Sequence, residues 1–352
     1  MDVVLNNTEN ENLFLLYTRI KQRRISLEFE LKKAKQKAEK AIKKWQHLVK
    51  LQSKIKKKPL IYRKKIIRQR SGPILESSFD IYKATGLLKN EFLKIYKLVK
   101  EDINKPRNGK KKCLYANSLV LPARLMLILS YLRKGQNYNF QSEWKVSNSY
   151  LSREVRFIIP ILAARCNFIK KPDIWENFIF ENVVGAIDCS SHFRVRVHPH
   201  QHDYYRGDKR GFFLSAQIVC SLTGEIYDVT IFPGRVNDQM AFNQTWQQLL
   251  TQKNIKLLAD GGYSDINLIT PKRKIQNIND KVWNNIQMSF RSVVEHVNSV
   301  VHFFKYGSTK IRGHEPELQA YCLKVIYNLA AQTLDIFPLR NDFFLYSQVF
   351  QK

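Results

Sequence analysis

The sequence predicts an α/β fold: an α-helical N-terminal region, then a domain built on a mixed sheet flanked by helices. Two observations on pattern and one on charge predict it. Up to about residue 168 apolar positions recur at helical spacing, whereas from residue 180 they run in strand-like blocks. Three acidic residues then stand in separate contexts: Asp188 in VVGAIDCSS and Asp260 in KLLADGGYS end apolar runs, and Glu295 in RSVVEHVNS lies in a helical run. That arrangement suits carboxylates converging from different elements on divalent metal ions. The chain around them is a polycation, with 59 Lys and Arg against 30 Asp and Glu and a net charge of +29 over 352 residues. A charge this large points to a polyanionic partner, because neutralising phosphates releases counterions.

The N-terminal region divides in two. Residues 1–70 form a basic, largely helical arm, since 13–58 lack Pro and Gly and are rich in helix formers. Residues 19–70 hold 21 Lys and Arg against Glu28, Glu30 and Glu39, so they carry +18 of the +29. Lys56, Lys57 and Lys58, with Arg63, Lys64 and Lys65, form a cluster that suits a nuclear address, a phosphate-binding strip or a solvated face. A nuclear protein is expected if the source is eukaryotic, a cytoplasmic one otherwise. Residues 71–175 read as a helical region with a helix-turn-helix. In NEFLKIYKLVKEDI (90–103) Phe92, Ile95, Leu98 and Val99 share one face, and Pro106, Asn108 and Gly109 make a loop. SLVLPARLMLILSYLRK, with Ser118 as a cap, is a helix that Gly135 ends. After a short segment at 139–146, Ser147 or Asn148 can cap NSYLSREVRFIIPILAAR. This last helix presents Asn148, Ser149, Ser152, Arg153 and Arg156, residue types that suit phosphate or major-groove contacts. The same pattern also serves as plain packing.

Residues 176–340 carry the strands, and 341–352 a tail. FIFENVVGAIDCSS is nearly continuously apolar, as a strand covered on both faces requires. SHFRVRVHP alternates; FFLSAQIVCSL and EIYDVTIFPG make a hairpin through Thr223-Gly224. DQMAFNQTWQQLLTQ (238–252) is a helix and KLLADGGYS a short buried strand. Residues 279–303 are helical with a loop inside, and 315–335 form a final helix. Strands, a helix, a further strand and then helices is the order of an RNase H-like fold, and Asp188, Asp260 and Glu295 stand at its three acidic places. Trp144, Trp246 and Trp283 read as core, Glu225 and Asp228 as surface, and Asp265 as the cap of a helix after the glycine turn. His198, His200 and His202 would share one side of a strand, but no cysteine or acid is spaced to complete a zinc site. Tyr204 and Tyr205, beside Arg206, suit stacking on bases. The five cysteines, Cys113, Cys166, Cys189, Cys220 and Cys322, are odd in number and read as free thiols of a reducing compartment. No secretory signal is expected from the acidic, polar N-terminus. No membrane partner is expected either, since SLVLPARLMLILSYL is short and broken by Pro122 and Arg124.

Four segments in order, GAIDCSSHFRV, YYRGDKRGFFLSAQIVCSLTGEIYDVTIFPGRVNDQMAF, LLADGGYSDINLITPKR and VEHVNSVVHFFK, resemble the PIF/Harbinger group of transposases, a DDE-superfamily endonuclease group. The resemblance covers about 180–335, is weaker over 85–168 and absent over 1–70. It implies Asp188, Asp260 and Glu295 as metal ligands for two Mg2+ or Mn2+ ions per active site. The family's His-Asp is here Asn237-Asp238, which makes Asp238 a near-site acid, a helix cap or the alternative ligand to Asp260. His296 replaces an arginine that usually follows the glutamate, and YYRGDKRGFF is longer than the family's corresponding run, though Arg206, Lys209 and Arg210 can still reach a DNA backbone. The implied substrate is double-stranded DNA, as terminal inverted repeats and target. The implied partners are a second copy of the chain, because two ends are processed together, and a Myb-like DNA-binding protein. Rival readings are a domesticated relative that binds DNA or protein without transposing, and an RNA-directed nuclease of the same fold.

Overall fold

The run VVGAI (183–187) offers no polar side chain to either face, and it becomes the middle of the sheet. The structure is a computed structural model that describes residues 78–105, 119–172, 182–313, 315–336 and 339. The arm with Lys56, Lys57, Lys58, Arg63, Lys64 and Lys65, the loop from Pro106, Cys113, the Ser118 cap and the 341–352 tail lie outside the described residues.

Strand β1 (Val183–Arg194) pairs antiparallel with β3 (Gly211–Cys220), from Ala186 opposite Cys220 to Arg194 opposite Phe212. Strand β3 pairs antiparallel with β4 (Ile226–Pro233) through a hairpin. In that turn Gly224 takes φ +100, and Ser221 Oγ accepts from the Thr223 and Glu225 amides. On its other edge β1 runs parallel to β5 (Lys256–Leu258), and β5 runs parallel to β6 (Leu268–Ile269). Two-residue β2 (Tyr205–Arg206) pairs with the start of β3. The sheet is therefore mixed, antiparallel on one side of β1 and parallel on the other. Gly185 permits the close approach of β1 to β3: a Cβ there would stand 2.1 Å from the Cys220 carbonyl oxygen.

Helices cover both faces. After β4 come α7 (Asp238–Thr245) and α8 (Gln247–Lys253), which bring Phe242, Trp246 and Leu250 onto Val184, Ile187, Val219 and Tyr227. Between β1 and β2 lies the single turn α6 (Gln201–Tyr204). After β6 come α9 (Ile278–His302), α10 (Lys305–Ser308) and α11 (Pro316–Ile336). Val293, Val294, Val297 and Val301 of α9 and Leu323, Ile326 and Tyr327 of α11 join the core that holds Ala186, Ala216 and Ile218. Buried His192 ties β1 to these helices: its ring nitrogens meet Gly307 O at 2.7 Å and Tyr327 Oη at 2.9 Å. Burial pulls its pKa down to about 4, so it is neutral at physiological pH.

The N-terminal helices are α1 (Ser78–Thr85), α2 (Lys89–Asn104), α3 (Leu121–Lys134), α4 (Phe140–Trp144) and α5 (Asn148–Arg165). Ser147 caps α5, its Oγ accepting from Tyr150 N at 3.2 Å. Their apolar residues merge with α9 and α11 in one core, and Asn328 of α11 accepts the Phe168 and Ile169 amides. Helix α11 is buried on nearly every side, the pattern of a central helix rather than a surface one. No helix of the described residues is long and apolar enough to cross a membrane.

Several expectations need correction. Helix α9 is continuous, because the polar residues read as a loop are clamps: Gln287 Nε2 donates to Ala259 O at 2.8 Å and Ile269 O at 3.1 Å, and Asn284 pairs with both backbone groups of Lys272. The 238–252 helix is two, broken at Trp246, whose indole N–H donates to Asp228 Oδ2 at 2.8 Å. Asp228 is thus an anchor of the core and not a free surface acid. Trp283 is half-buried, and Leu98 is 45 % exposed while Ile103 takes its place in the core. Asp265 caps a turn at the Asn267 amide, since β6 and not a helix follows. The first two expected strands are one, β1, which ends at Arg194, so His198, His200 and His202 do not share a strand. Helix α3 starts at Leu121 with Val120 as its N-cap and Pro122 in its first turn.

Candidate active site

The parallel register of β1 and β5 places the first two acids. Ala186 lies beside Leu258, and Asp188 and Asp260 each follow two residues further along their chains, Asp260 just past the end of β5. Backbone contacts fix both. Asp188 Oδ1 accepts from Cys189 N at 2.8 Å and Asp260 Oδ1 from Gly262 N at 2.8 Å. Gln287 holds the carbonyl just before Asp260, and Arg273 Nη2 donates to Gly261 O at 2.7 Å just after it. Asp238 joins them from the first turn of α7, after the N-cap Asn237 whose Oδ1 accepts from Met240 N. Its Oδ1 is buried and takes no hydrogen bond from any described residue, with Arg206 Nη1 3.7 Å away.

The ionisation of these groups shows that they share one region. Burial pushes the Asp188 carboxyl up to about 6; the Cys189 amide and Arg291 oppose that rise, and the charges of Asp260 and Asp238 add to it. Burial likewise raises Asp238, with Asp260 adding and Arg206 opposing. Three carboxylates crowded in this way repel one another until a cation arrives.

Glu295 stands differently. It lies on α9 with its side chain 56 % exposed, and Arg291, one turn earlier, donates from Nη2 to Glu295 Oε1 at 2.6 Å. Arg291 is only 14 % exposed, and its Nε is buried and takes no partner among the described residues. Arg291, not Glu295, is the α9 charge that acts on Asp188. The structure therefore puts Asp188, Asp260 and Asp238 in one region, while Glu295 pairs with Arg291, whose charge acts on Asp188. His296 points to solvent beside Glu295. Among the described residues no three His, Cys, Asp or Glu side chains are drawn into one coordination shell.

Two neighbours escaped the sequence reading. The Cys189 thiol lies against Asp238 and accepts from Tyr263 Oη at 3.5 Å; burial, the leading cause, pushes it up to about 12, so it stays protonated. Arg291 carried the one visible signal, its i,i+4 spacing to Glu295.

Basic residues rim the cluster. Arg206 is 13 % exposed and reaches Asp208 at 3.0 Å, Ser191 Oγ at 3.3 Å and Ser215 Oγ at 3.5 Å. Lys209 Nζ donates to Ser191 Oγ at 2.7 Å, and Arg210 is exposed. A cleft of about 350 Å³ opens beside Asp238, between Tyr205, Arg206, Arg235 and Asn237. On α5, Arg153 and Arg156 are both exposed, with Arg156 Nη1 on Ser152 Oγ at 2.6 Å and Nη2 3.8 Å from Glu315.

Residues 187–330 match the family model described as DDE superfamily endonuclease, and this segment runs from just before Asp188 into α11. A search of curated proteins gives no match to the chain. Over this segment the chain is similar to the DDE endonucleases, the type found in DDE transposases, and that likeness points to DNA as substrate and a divalent metal as cofactor.

Proposed function

We propose that the chain is a DNA transposase of the PIF/Harbinger type, cutting element ends and joining them to target DNA at a site where Asp188, Asp260 and Glu295 hold two Mg2+ or Mn2+ ions. The observation that carries this reading is that Asp188 on β1 and Asp260 just past parallel β5 face one another electrostatically, inside the matched segment, with Asp238 acting on Asp188 as well. The strand order β4-β3-β1-β5-β6 supports an RNase H-like domain over 176–340. Helices α3 and α5 are the helices of the expected helix-turn-helix, with Arg153 and Arg156 on its open side.

The donor set fits hard divalent cations: every donor is a carboxylate oxygen, and Asp238 Oδ1 is a buried acceptor with no hydrogen bond from a described residue. Bound ions would supply Lewis acidity to the attacking water or 3′-hydroxyl and to the leaving oxygen. The chain's own residues set the stage for that chemistry. Gln287 and the Gly262 amide hold Asp260 in place near Asp188, and burial keeps water from screening Asp188. Arg206 offsets the charge of Asp238, as Arg291 does that of Asp188. For Glu295 to become a ligand, Arg291 must release it. Lys209, Arg210 and Arg273 rim the site where backbone phosphates would pass.

The test is strand cleavage and joining by the full chain on a duplex carrying an element end, with Mg2+ or Mn2+. Activity in the wild type and none in Asp188→Ala and Glu295→Ala is expected; activity intact in either variant overturns the reading. A second reading, a domesticated factor that binds without cutting, finds support in the Arg291–Glu295 pair, which occupies one of the proposed ligands. DNA binding without cleavage in the same assay would favour it. Dependence on a Myb-like partner predicts that the chain alone binds DNA through charge, with a steep salt slope. A footprint over inverted repeats by the chain alone would remove that dependence. Two ends cut together require a homo-oligomer, and the basic cluster near residues 54–65 would serve entry to the nucleus.

A further inference from the structure

The face of the sheet that α7 and α8 cover is closed at one end and open at the other. Its paired rows are Ile187 with Val219, Cys189 with Gln217, Ser191 with Ser215 and Phe193 with Phe213. The first row lies under Phe242 and Trp246, and the second adjoins Asp238 and Thr245. The third carries Arg206 and Lys209 on its hydroxyls. The fourth ends in solvent, where Phe193 is 36 % exposed.

That last row is an aromatic pair ringed by cations. The Phe193 and Phe213 rings lie 5.0 Å apart, centre to centre, tilted by 33°. Lys310 Nζ stands 4.6 Å from the Phe193 ring centre and Lys209 Nζ 6.0 Å from that of Phe213. Gly211 makes room for both rings, since a Cβ there would meet each at 2.9 Å. Backbone pairing fixes the place of Lys310: Ile311 N donates to Phe193 O, and Val195 N to Ile311 O.

We propose that this open end is a binding platform for an unpaired DNA strand, which stacks a base on Phe193 and lays its backbone on Lys310, Lys209 and Arg206 on the way to the acidic cluster. The proposal rests on the nuclease reading given above. Two features select this occupant. Duplex bases are stacked on one another and cannot reach a ring, whereas an unpaired base presents a free π-face. The charged groups described against the two rings, Lys310 and Lys209, are cationic, which suits a phosphate chain. Phe193 lies four residues along β1 from Cys189, a run of roughly 13 Å, so a strand held at Phe193 passes within short reach of Asp238. Lys310 is exposed and its stem is flexible, so a phosphate can draw the ammonium off the ring and leave the face to a base.

The test is equilibrium binding of the full chain, without divalent ion and in elevated salt, which weakens charge-only binding by residues 19–70. The probes are a fluorescent single-stranded oligonucleotide, the same oligonucleotide bearing 5-iodouracil for photocross-linking, and a blunt duplex. Expected are a cross-link at Phe193, a loss of about five-fold or more in single-strand affinity for Phe193→Ala with a smaller change on duplex, and recovery in Phe193→Tyr. Equal losses on single strand and duplex, an unchanged single-strand affinity, or a cross-link only outside β1 and β3 would overturn the platform. Because binding is read without metal, a platform that fails while cleavage succeeds, and the reverse, tell the two proposals apart.

Discussion

The acids at the candidate site are held in two ways. Asp188 sits on β1 and Asp260 just past the end of neighbouring β5, each tied to a backbone amide, and Asp238 sits in a capped first turn close by. Glu295 is more than half exposed on α9 and is held by Arg291 alone among the contacts described for its carboxylate. One side of the site is therefore set by the sheet before any ligand arrives, while the other depends on one ion pair that can be exchanged. Rigid placement of the first side carries an energetic cost, since buried like charges repel. The adjustable side has the smaller cost and can answer a cation.

The largest effect should come from neutralising the rigid side. Burial leads the rise of Asp188 from 3.8 to about 6. A carboxyl whose folded pKa is raised binds its proton more tightly in the native state, so native stability falls as pH rises from about 4 to about 6 and stays lowered above that. At neutral pH the ionised group costs about 3 kcal/mol by linkage. Asp188→Asn should therefore raise the Tm of the metal-free protein at pH 7 to 8, flatten the slope between pH 4 and 6, and abolish cleavage. A Tm that falls instead would mean that the carboxylate is paired and not strained.

Next comes the clamp that aligns the strands. Gln287→Leu leaves the Ala259 and Ile269 carbonyls without their shared donor. A loss of about 1–3 kcal/mol in urea unfolding is expected. Mn2+ affinity should fall with it, because Asp260 follows Ala259 directly.

The adjustable side is probed by Arg291→Met, which frees Glu295 and removes the cation facing Asp188. Above pH 7, Mn2+ affinity by calorimetric titration should rise by about ten-fold, the equivalent of about 1.4 kcal/mol. Near pH 6 the gain should shrink, since Arg291 normally opposes the rise of the Asp188 pKa and its loss lets the proton compete with the metal. Equal affinity in both proteins at every pH would show that Arg291 does not compete with the metal.

The smallest effect should lie furthest from the acids. Arg153→Ala with Arg156→Ala should weaken duplex binding uniformly across sequences and lower the salt slope by roughly one per phosphate contact. An unchanged slope would leave α5 as a packing helix.

The contrast also explains what the sequence disclosed. The places of Asp188 and Asp260 were legible because both end buried apolar runs, and strand order then brings those runs together. Asp238 stayed ambiguous, as a helix cap and a site acid have the same local signature, and only the fold of α7 onto Gln217 decides that it meets the others. Arg291 was invisible as a neighbour of Asp188, because that contact spans about a hundred residues. Gln287 and Asn284 misled in the opposite direction. Polar side chains in the middle of a helix read as a break, yet here they serve the backbone of another segment. Asp228 misled likewise, since its partner is an indole eighteen residues away in the chain.

Helix α11 has one more consequence. It is wrapped on one flank by the N-terminal helices and on another by β4 and α9. Trimming the chain at residue 175 would strip Leu329, Ala330 and their neighbours of their cover and leave a sticky apolar wall in water. Such a fragment should clump rather than fold, so a workable minimal protein has to begin before residue 78.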